Sequence, residues 1–218
     1  MTAHLRVERV SQLVREDGET RCVLSPVTAN FAAGMFHIVS GDRGSGKSSL
    51  MSILSLTTAA ARGDIFFGDD RLSALDPDEA QRWRARHIAT IGSDNVVVPL
   101  LTFRENLKMT AALRERPEAV RRGKAMAARL GIDHLFDSFP AEFASADLRR
   151  TALVLALCSE PLIVLADDPT KGMRDPDARG VAALLRSYAH DRHAIIVAAS
   201  DDRRMLAAAD AVLRLAVP

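Results

Sequence analysis

Apolar positions along the chain fall into two rhythms. Short unbroken runs between turn residues read as buried strands, and apolar residues spaced three and four apart read as one face of a helix. "FHIVSG", residues 36–41, is a run of the first kind that ends in a glycine turn, and "KSSLMSILSL" soon after it carries a helical stripe. "GDIFFGDD" predicts a short strand with a turn. From about Asp76 to Cys158 the pattern is mainly helical. "DPDEAQRWRARH" opens with Asp76 as N-cap and Pro77 at the first helical position, where a missing N–H does no harm. "PEAVRRGKAMAARLGI" repeats the proline-first pattern and ends near Gly131. "PLIVLADD" predicts a fully buried parallel strand. "DARGVAALLRSYAHD" predicts an amphipathic helix, "HAIIVAAS" another buried strand, and "DDRRMLAAADAVLRL" a helix with a last short strand.

The order of these elements sets the fold class. Strand, loop and helix come first, a helical block follows, and strand, helix and strand close the chain. Such alternation predicts an α/β protein with a parallel sheet covered on both faces. The helical block reads as an insertion, because the last strands must return to the first sheet. A length of 218 residues suits one such domain with an inserted subdomain.

Composition narrows the function classes. Lys+Arg is 29 and Asp+Glu is 28, which gives no reason to expect nucleic acid or an anionic membrane as partner. Cys22 and Cys158 lack CxxC spacing and read as two buried thiols in a reducing compartment. The N-terminus "MTAHLRVERV" has no signal-peptide pattern. The longest apolar stretch, "TALVLALCSEPLIVLA", is interrupted by Ser159, Glu160 and Pro161 and is too broken to span a bilayer. Any membrane role is expected to come through a partner.

"GDRGSGKSS" carries the chemistry. Gly41, Gly46, Lys47 and Ser48 meet the pattern G-x-x-x-x-G-K-[ST], with a buried strand before and a helix after. Glycines let the backbone curl so that N–H groups point at phosphate oxygens, and the helix N-terminus adds partial positive charge. The nucleotide-binding stretch is therefore Gly41, Asp42, Arg43, Gly44, Ser45, Gly46, Lys47, Ser48 and Ser49. Lys47 is expected on the β- and γ-phosphates and the Ser48 hydroxyl on Mg²⁺. Asp167 ends the strand "LIVLAD". Alone it is an ordinary strand-end aspartate, but beside the phosphate loop it is expected to hold the same Mg²⁺ through water.

With these residues in place, the chain resembles an ABC transporter ATP-binding subunit of the lipoprotein-releasing, macrolide-export and cell-division group (LolD, MacB and FtsE). "RGDIFFGDDRLSAL", "VPLLTFRENL" and "LIVLADDPTKGMRDPD" resemble the family's hairpin, its "LP.LT..ENV" and its "LLLADEPTGNLD", and essentially the whole chain is covered. The resemblance implies a RecA-like P-loop NTPase sheet with an N-terminal antiparallel β portion. In this reading residues 1–92 and 159–218 form the core and 93–158 an inserted helical subdomain. It also implies ATP and Mg²⁺ as ligands and a membrane-embedded permease as partner. Pairing of two nucleotide-binding subunits, as homodimer or heterodimer, is implied too. The place implied is cytoplasmic, peripheral on the inner face of the plasma membrane.

The family's working positions are altered. Ser93 stands where the resemblance places the Q-loop glutamine, Asp168 at the catalytic glutamate and Ser200 at the switch histidine. The signature that contacts the opposite subunit's nucleotide reads Phe143, Ala144, Ser145, Ala146, Asp147, so both glycines have gained a Cβ. Neither Leu13 nor Val14 supplies the aromatic that stacks on adenine. The D-loop aspartate is either replaced by Arg174 or shifted to Asp175. Aspartate is shorter than glutamate by about 1.5 Å of carbon chain, and a misplacement of about 1 Å costs on the order of 10²-fold in rate. The expectation is a nucleotide-binding subunit with weak or absent hydrolysis. A slow transport ATPase and a non-hydrolytic assembly module are the alternatives. His190 and His193 read as solvated residues at a helix end, and Arg82, Arg84 and Arg86 around Trp83 as a helix face.

Overall fold

The computed structural model describes residues 4–16, 18–92 and 97–218. The first part is antiparallel. β1 (His4–Glu16) pairs with β2 (Glu19–Ala32) on one side and with β4 (Arg62–Phe67) on the other, and β4 turns back into β5 (Asp70–Arg71). The second sheet is parallel. It is built from β3 (Met35–Ser40), β6 (Ile88–Ile91), β7 (Ile163–Asp167), β8 (Ile195–Ala199) and β9 (Ala211–Arg214), in the order β6-β7-β8-β3-β9. The parallel sheet is the α/β architecture that the element order predicts, and the antiparallel sheet is the N-terminal β portion that the family resemblance implies.

Period-2 alternation divides the core into two layers. Phe36, Ile38, Val164, Ala166, Ile196 and Ala198 point to one face of the parallel sheet. There they meet apolar residues of α3 (Phe103–Leu113), α4 (Ala119–Arg129), α5 (Ser145–Leu157) and α6 (Asp175–Arg192), with Met205 of α7 (Arg203–Ala208). Val39, Ile163, Leu165, Ile195 and Val197 point to the other face, against α1 (Lys47–Leu54) and the antiparallel sheet. Strands buried on both faces read as unbroken apolar runs, which is why β3, β7 and β8 were plain in the sequence.

Local chemistry fixes the helix starts. α2 (Pro77–His87) begins with a capping box, in which Asp76 accepts the Glu79 N–H at 2.8 Å and Glu79 accepts the Asp76 N–H at 3.0 Å. Thr102 and Glu105 do the same for α3. Asn106 is fully buried, accepts the Val98 N–H at 2.8 Å and donates to the carbonyls of Val98, Leu101 and Thr102. One side chain thus fastens the segment that leads into α3.

Two expectations are corrected, and one is filled in. The stretch 76–158 is mainly helical, but it also holds an edge strand that the pattern did not show: "IATI" is β6, with Ile88, Ala89 and Ile91 buried. Four residues are too few for periodicity to separate strand from helix. Pro117 does not open α4, which starts at Ala119 after Glu118 as N-cap. The Ala119 N–H bonds back to Arg116 O at 2.9 Å, so Pro117 takes the second position of a turn, where its fixed φ also fits. Cys22 is only half-buried, on β2 opposite Leu13, whereas Cys158 is fully buried.

That difference gives a measurable result. Burial pushes the Cys158 thiol up to about 12, so little thiolate forms there at neutral pH. A thiol reagent at pH 8 is expected to modify Cys22 in the native protein and Cys158 only after denaturation. Two rapidly reacting thiols in the folded protein would contradict this packing. No helix among the described residues is long and apolar enough to cross a membrane.

Candidate functional site

The carboxyl ends of β3, β7 and β8 lie level, since Val39 and Asp167 are both in register with Ala199. Ligands of open parallel sheets bind at this edge. The loop after β3, residues 41–48, curls over it, and the Ser45 N–H closes onto Asp42 O at 3.1 Å. Gly46 has φ 87°, and a Cβ there would lie 2.5 Å from Val23 O, so any side chain would collide with β2. Gly44, at φ 86°, has nothing within 4 Å of the equivalent point and leaves that side of the loop open. α1 begins at Lys47 without a side-chain cap, so its first N–H groups are left for an anion. Ser45 is 1% exposed, and its hydroxyl is without a hydrogen-bond partner among the described residues.

Lys47 folds back on the loop, donating to Gly41 O and, at 3.3 Å, to Asp42 O. Its ammonium also pairs with Asp201 at 3.0 Å, and Asp201 accepts the Gly41 N–H at 2.9 Å. Burial works to raise the Asp201 pKa, but the Gly41 N–H and Lys47 outweigh it and hold the carboxyl below its ordinary range. Ser48 donates to Asp167 at 3.1 Å, so the hydroxyl and carboxylate expected to share a cation already lie side by side. Asp42, Arg43 and Gly44 are exposed, and Ser49 is half-buried on the first turn of α1.

The altered positions behave differently from one another. Ser93 lies outside the described residues. Asp168 sits in the left-handed region at φ 45°, with its N–H on Ala199 O at 2.9 Å. Its pKa is raised, first by burial and then by the Asp167 charge. Ser200 is 1% exposed, and its hydroxyl accepts the Asp202 N–H at 3.2 Å, turning it toward its own loop. Ala144 is the N-cap of α5, and Ser145, Ala146 and Asp147 form its first turn, with no side-chain cap. Asp147 pairs with Arg150, which also donates to Leu130 O at 2.8 Å and Asp177 at 3.2 Å, tying α5 to α6. None of residues 144–147 bonds to the phosphate loop among the described residues.

Arg174 is the N-cap of α6 and is exposed; Asp175 follows it and pairs with Arg179 at 2.6 Å. Leu13 and Val14 lie on β1, opposite Cys22 and Arg21. His190 pairs with Asp210 at 2.9 Å, and His193 is the left-handed C-cap of α6. Trp83 packs edge-on against Phe67, with ring centres 5.4 Å apart, so it belongs to the fold's packing.

Two residues that bond within this edge escaped the sequence reading, Asp201 and Asp202. Asp202 accepts the Thr170 hydroxyl at 2.8 Å and the fork of Arg204, whose bonds hold the carboxyl far below its ordinary range. Arg204 also donates to Met173 O at 3.2 Å, so one side chain joins the loops after β7 and β8. The available signal was "SDD" directly after a buried strand, the same arrangement that singled out Asp167.

Fold and cradle define a P-loop nucleotide-binding protein. The family described as ABC transporter matches residues 24–171, more than half of the chain. The chain therefore belongs to the ABC transporter family, as one of its ATP-binding subunits. HrtA of Staphylococcus haemolyticus, named for hemin import and ATP binding, is 29% identical over 91% of this chain and 90% of its own length. The macrolide export ATP-binding/permease protein MacB of Escherichia coli is 29% identical over 90% of this chain, which spans only 31% of MacB. The lipoprotein-releasing system ATP-binding protein LolD of Idiomarina loihiensis is 25% identical over 84% of this chain and 81% of LolD. Among solved structures, the dimeric bacterial ABC transporter cassette MJ0796 superposes with a TM-score of 0.86 at 21% identity. It covers 97% of this chain and 94% of its own, a likeness of fold.

Proposed function

We propose that this subunit binds Mg·ATP and hydrolyses it very slowly or not at all, as the nucleotide-holding part of a membrane transport complex. One observation carries the reading: the phosphate cradle is complete, while Ser200 is buried and bonded to its own loop. Gly44's open side, the uncapped start of α1, the unpartnered Ser45 hydroxyl and Lys47 fit a polyphosphate. Ser48 and Asp167 are oxygen donors suited to a hard divalent cation. Bound Mg²⁺ would offset phosphate charge and fix the chain's orientation; the protein's own part is to bind and hold.

Serine cannot carry the charge of an imidazolium or span its length, and Asp168 is a short carboxyl. Loss of a general base costs about 10²–10⁴-fold, or roughly 3–5 kcal/mol of barrier. Ser145 and Ala146 add Cβ atoms where the resemblance places the family's signature glycines, which let backbone approach phosphate. MJ0796 was solved as a dimer. Were two subunits of this kind to meet head to tail, every site would contain a fault, whether the partner were a copy or a sound relative. Nucleotide then acts as a structural or regulatory ligand. A slow transport ATPase is the second reading, favoured by the raised Asp168 pKa, which makes that carboxylate a stronger base.

The permease partner gives the subunit its place on the inner face of the membrane. A groove of about 410 Å³ between α2, β6, α3 and α5 supports a docking site beside the helical lobe, residues 93–158. Leu113 lines it and is 75% exposed. Purified protein is expected to bind Mg·ATP while releasing phosphate at about 10⁻¹–10⁻³ s⁻¹, against a median enzyme turnover of about 10 s⁻¹. An ordinary ATPase rate would overturn the proposal.

A further inference from the structure

We infer that Asp201 sets nucleotide affinity by competing with phosphate for Lys47. The inference rests on the reading of residues 41–48 as a nucleotide phosphate site. Lys47 is the cation that this loop offers to a polyphosphate, and its side chain is only 17% exposed. Its ammonium is held at 3.0 Å by Asp201, a carboxylate from the end of the neighbouring strand. The second oxygen of the same carboxylate accepts the Gly41 N–H at 2.9 Å, which fixes its position beside the lysine. Asp201 itself is 55% exposed, so it can swing into water when the lysine leaves it.

Other charges share this edge. Asp167 and Asp168 face the same loop, and Asp168 is influenced by Asp167, Asp201, Lys47 and Lys171 together. Asp201 is also influenced by Arg214, but Lys47 is the cation in hydrogen-bond contact with it. Asp201 thus neutralises the lysine of the loop. An arriving phosphate must replace a carboxylate that is already in hydrogen-bond contact. The exchange is one anion for another on Lys47, with no bond made or broken in the chain. Its consequence is that bound nucleotide is held less firmly than the loop sequence implies.

The charge and the loop anchor can be separated. Asp201→Asn keeps an oxygen for the Gly41 N–H but removes the charge, whereas Asp201→Glu keeps the charge. Calorimetric titration with Mg·ATP and Mg·ADP is expected to show Asp201→Asn binding both about tenfold more tightly than wild type, the equivalent of one ordinary charge-assisted contact. Asp201→Glu is expected to stay within about threefold of wild type. The gain is expected to shrink as salt is raised, because it is an interaction between charges partly open to water. Unchanged or weaker binding by a folded Asp201→Asn protein overturns the inference while leaving the nucleotide site standing. Failure of wild type and both variants alike to bind any nucleotide overturns the reading of the site, and the inference with it.

Discussion

Replacing Lys47 by alanine is expected to weaken Mg·ATP binding by at least about a hundredfold, since a hydrogen bond to a charged group contributes about 1.5–3 kcal/mol and the lysine offers more than one. The structure adds a second cause. Lys47 is the partner of Asp201, and without it that carboxylate stands unpaired at an edge that also holds Asp167 and Asp168. The site then repels phosphate as well as lacking an attractor. Equilibrium titration with a fluorescent nucleotide checks this, alongside a thermal melt to show that the variant is folded. An affinity within threefold of wild type would mean that the nucleotide is not held by residues 41–48.

The second large effect is expected from restoring two groups at once. Asp168→Glu with Ser200→His is expected to raise phosphate release by about 10²–10⁴-fold, the usual worth of a positioned base, with nucleotide affinity little changed. The same structure predicts a penalty in stability. Asp168 holds φ 45°, a region that aspartate and asparagine enter more readily than glutamate. Ser200 is buried and bonds the Asp202 N–H, and an imidazole must turn outward and give up that bond. Each change is expected to cost about 1 kcal/mol, so the repaired protein should melt lower while turning over faster. Single-turnover measurements with matched protein concentrations separate the two effects. If turnover stays flat while binding is intact, residues 144–147 or subunit pairing set the limit instead.

Much of the fold was legible because its strands are buried on both faces. "FHIVSG", "LIVLAD" and "IIVAAS" are unbroken apolar runs, and each ends at the edge where ligands of such sheets bind. The phosphate loop was legible because glycine is required there by geometry: at Gly46 any Cβ would meet Val23 O. β6 was missed because four residues flanked by helices carry too little pattern, although Ile88 and Ile91 are buried. Pro117 misled because proline suits a turn and a first helical position equally well. Asp201 was missed for another reason. Its significance lies in a contact across 154 residues with Lys47, and no local spacing records that.

The Asp202–Arg204 pair has one further implication. Thr170 and Met173 hang from it on one side and the start of α7 on the other. Those stretches are therefore fastened to one another as well as to the sheet beneath them. Met173 and the neighbourhood of Ser200 are thus joined by two side chains, so a change of conformation in one loop cannot leave the other's hydrogen bonds untouched.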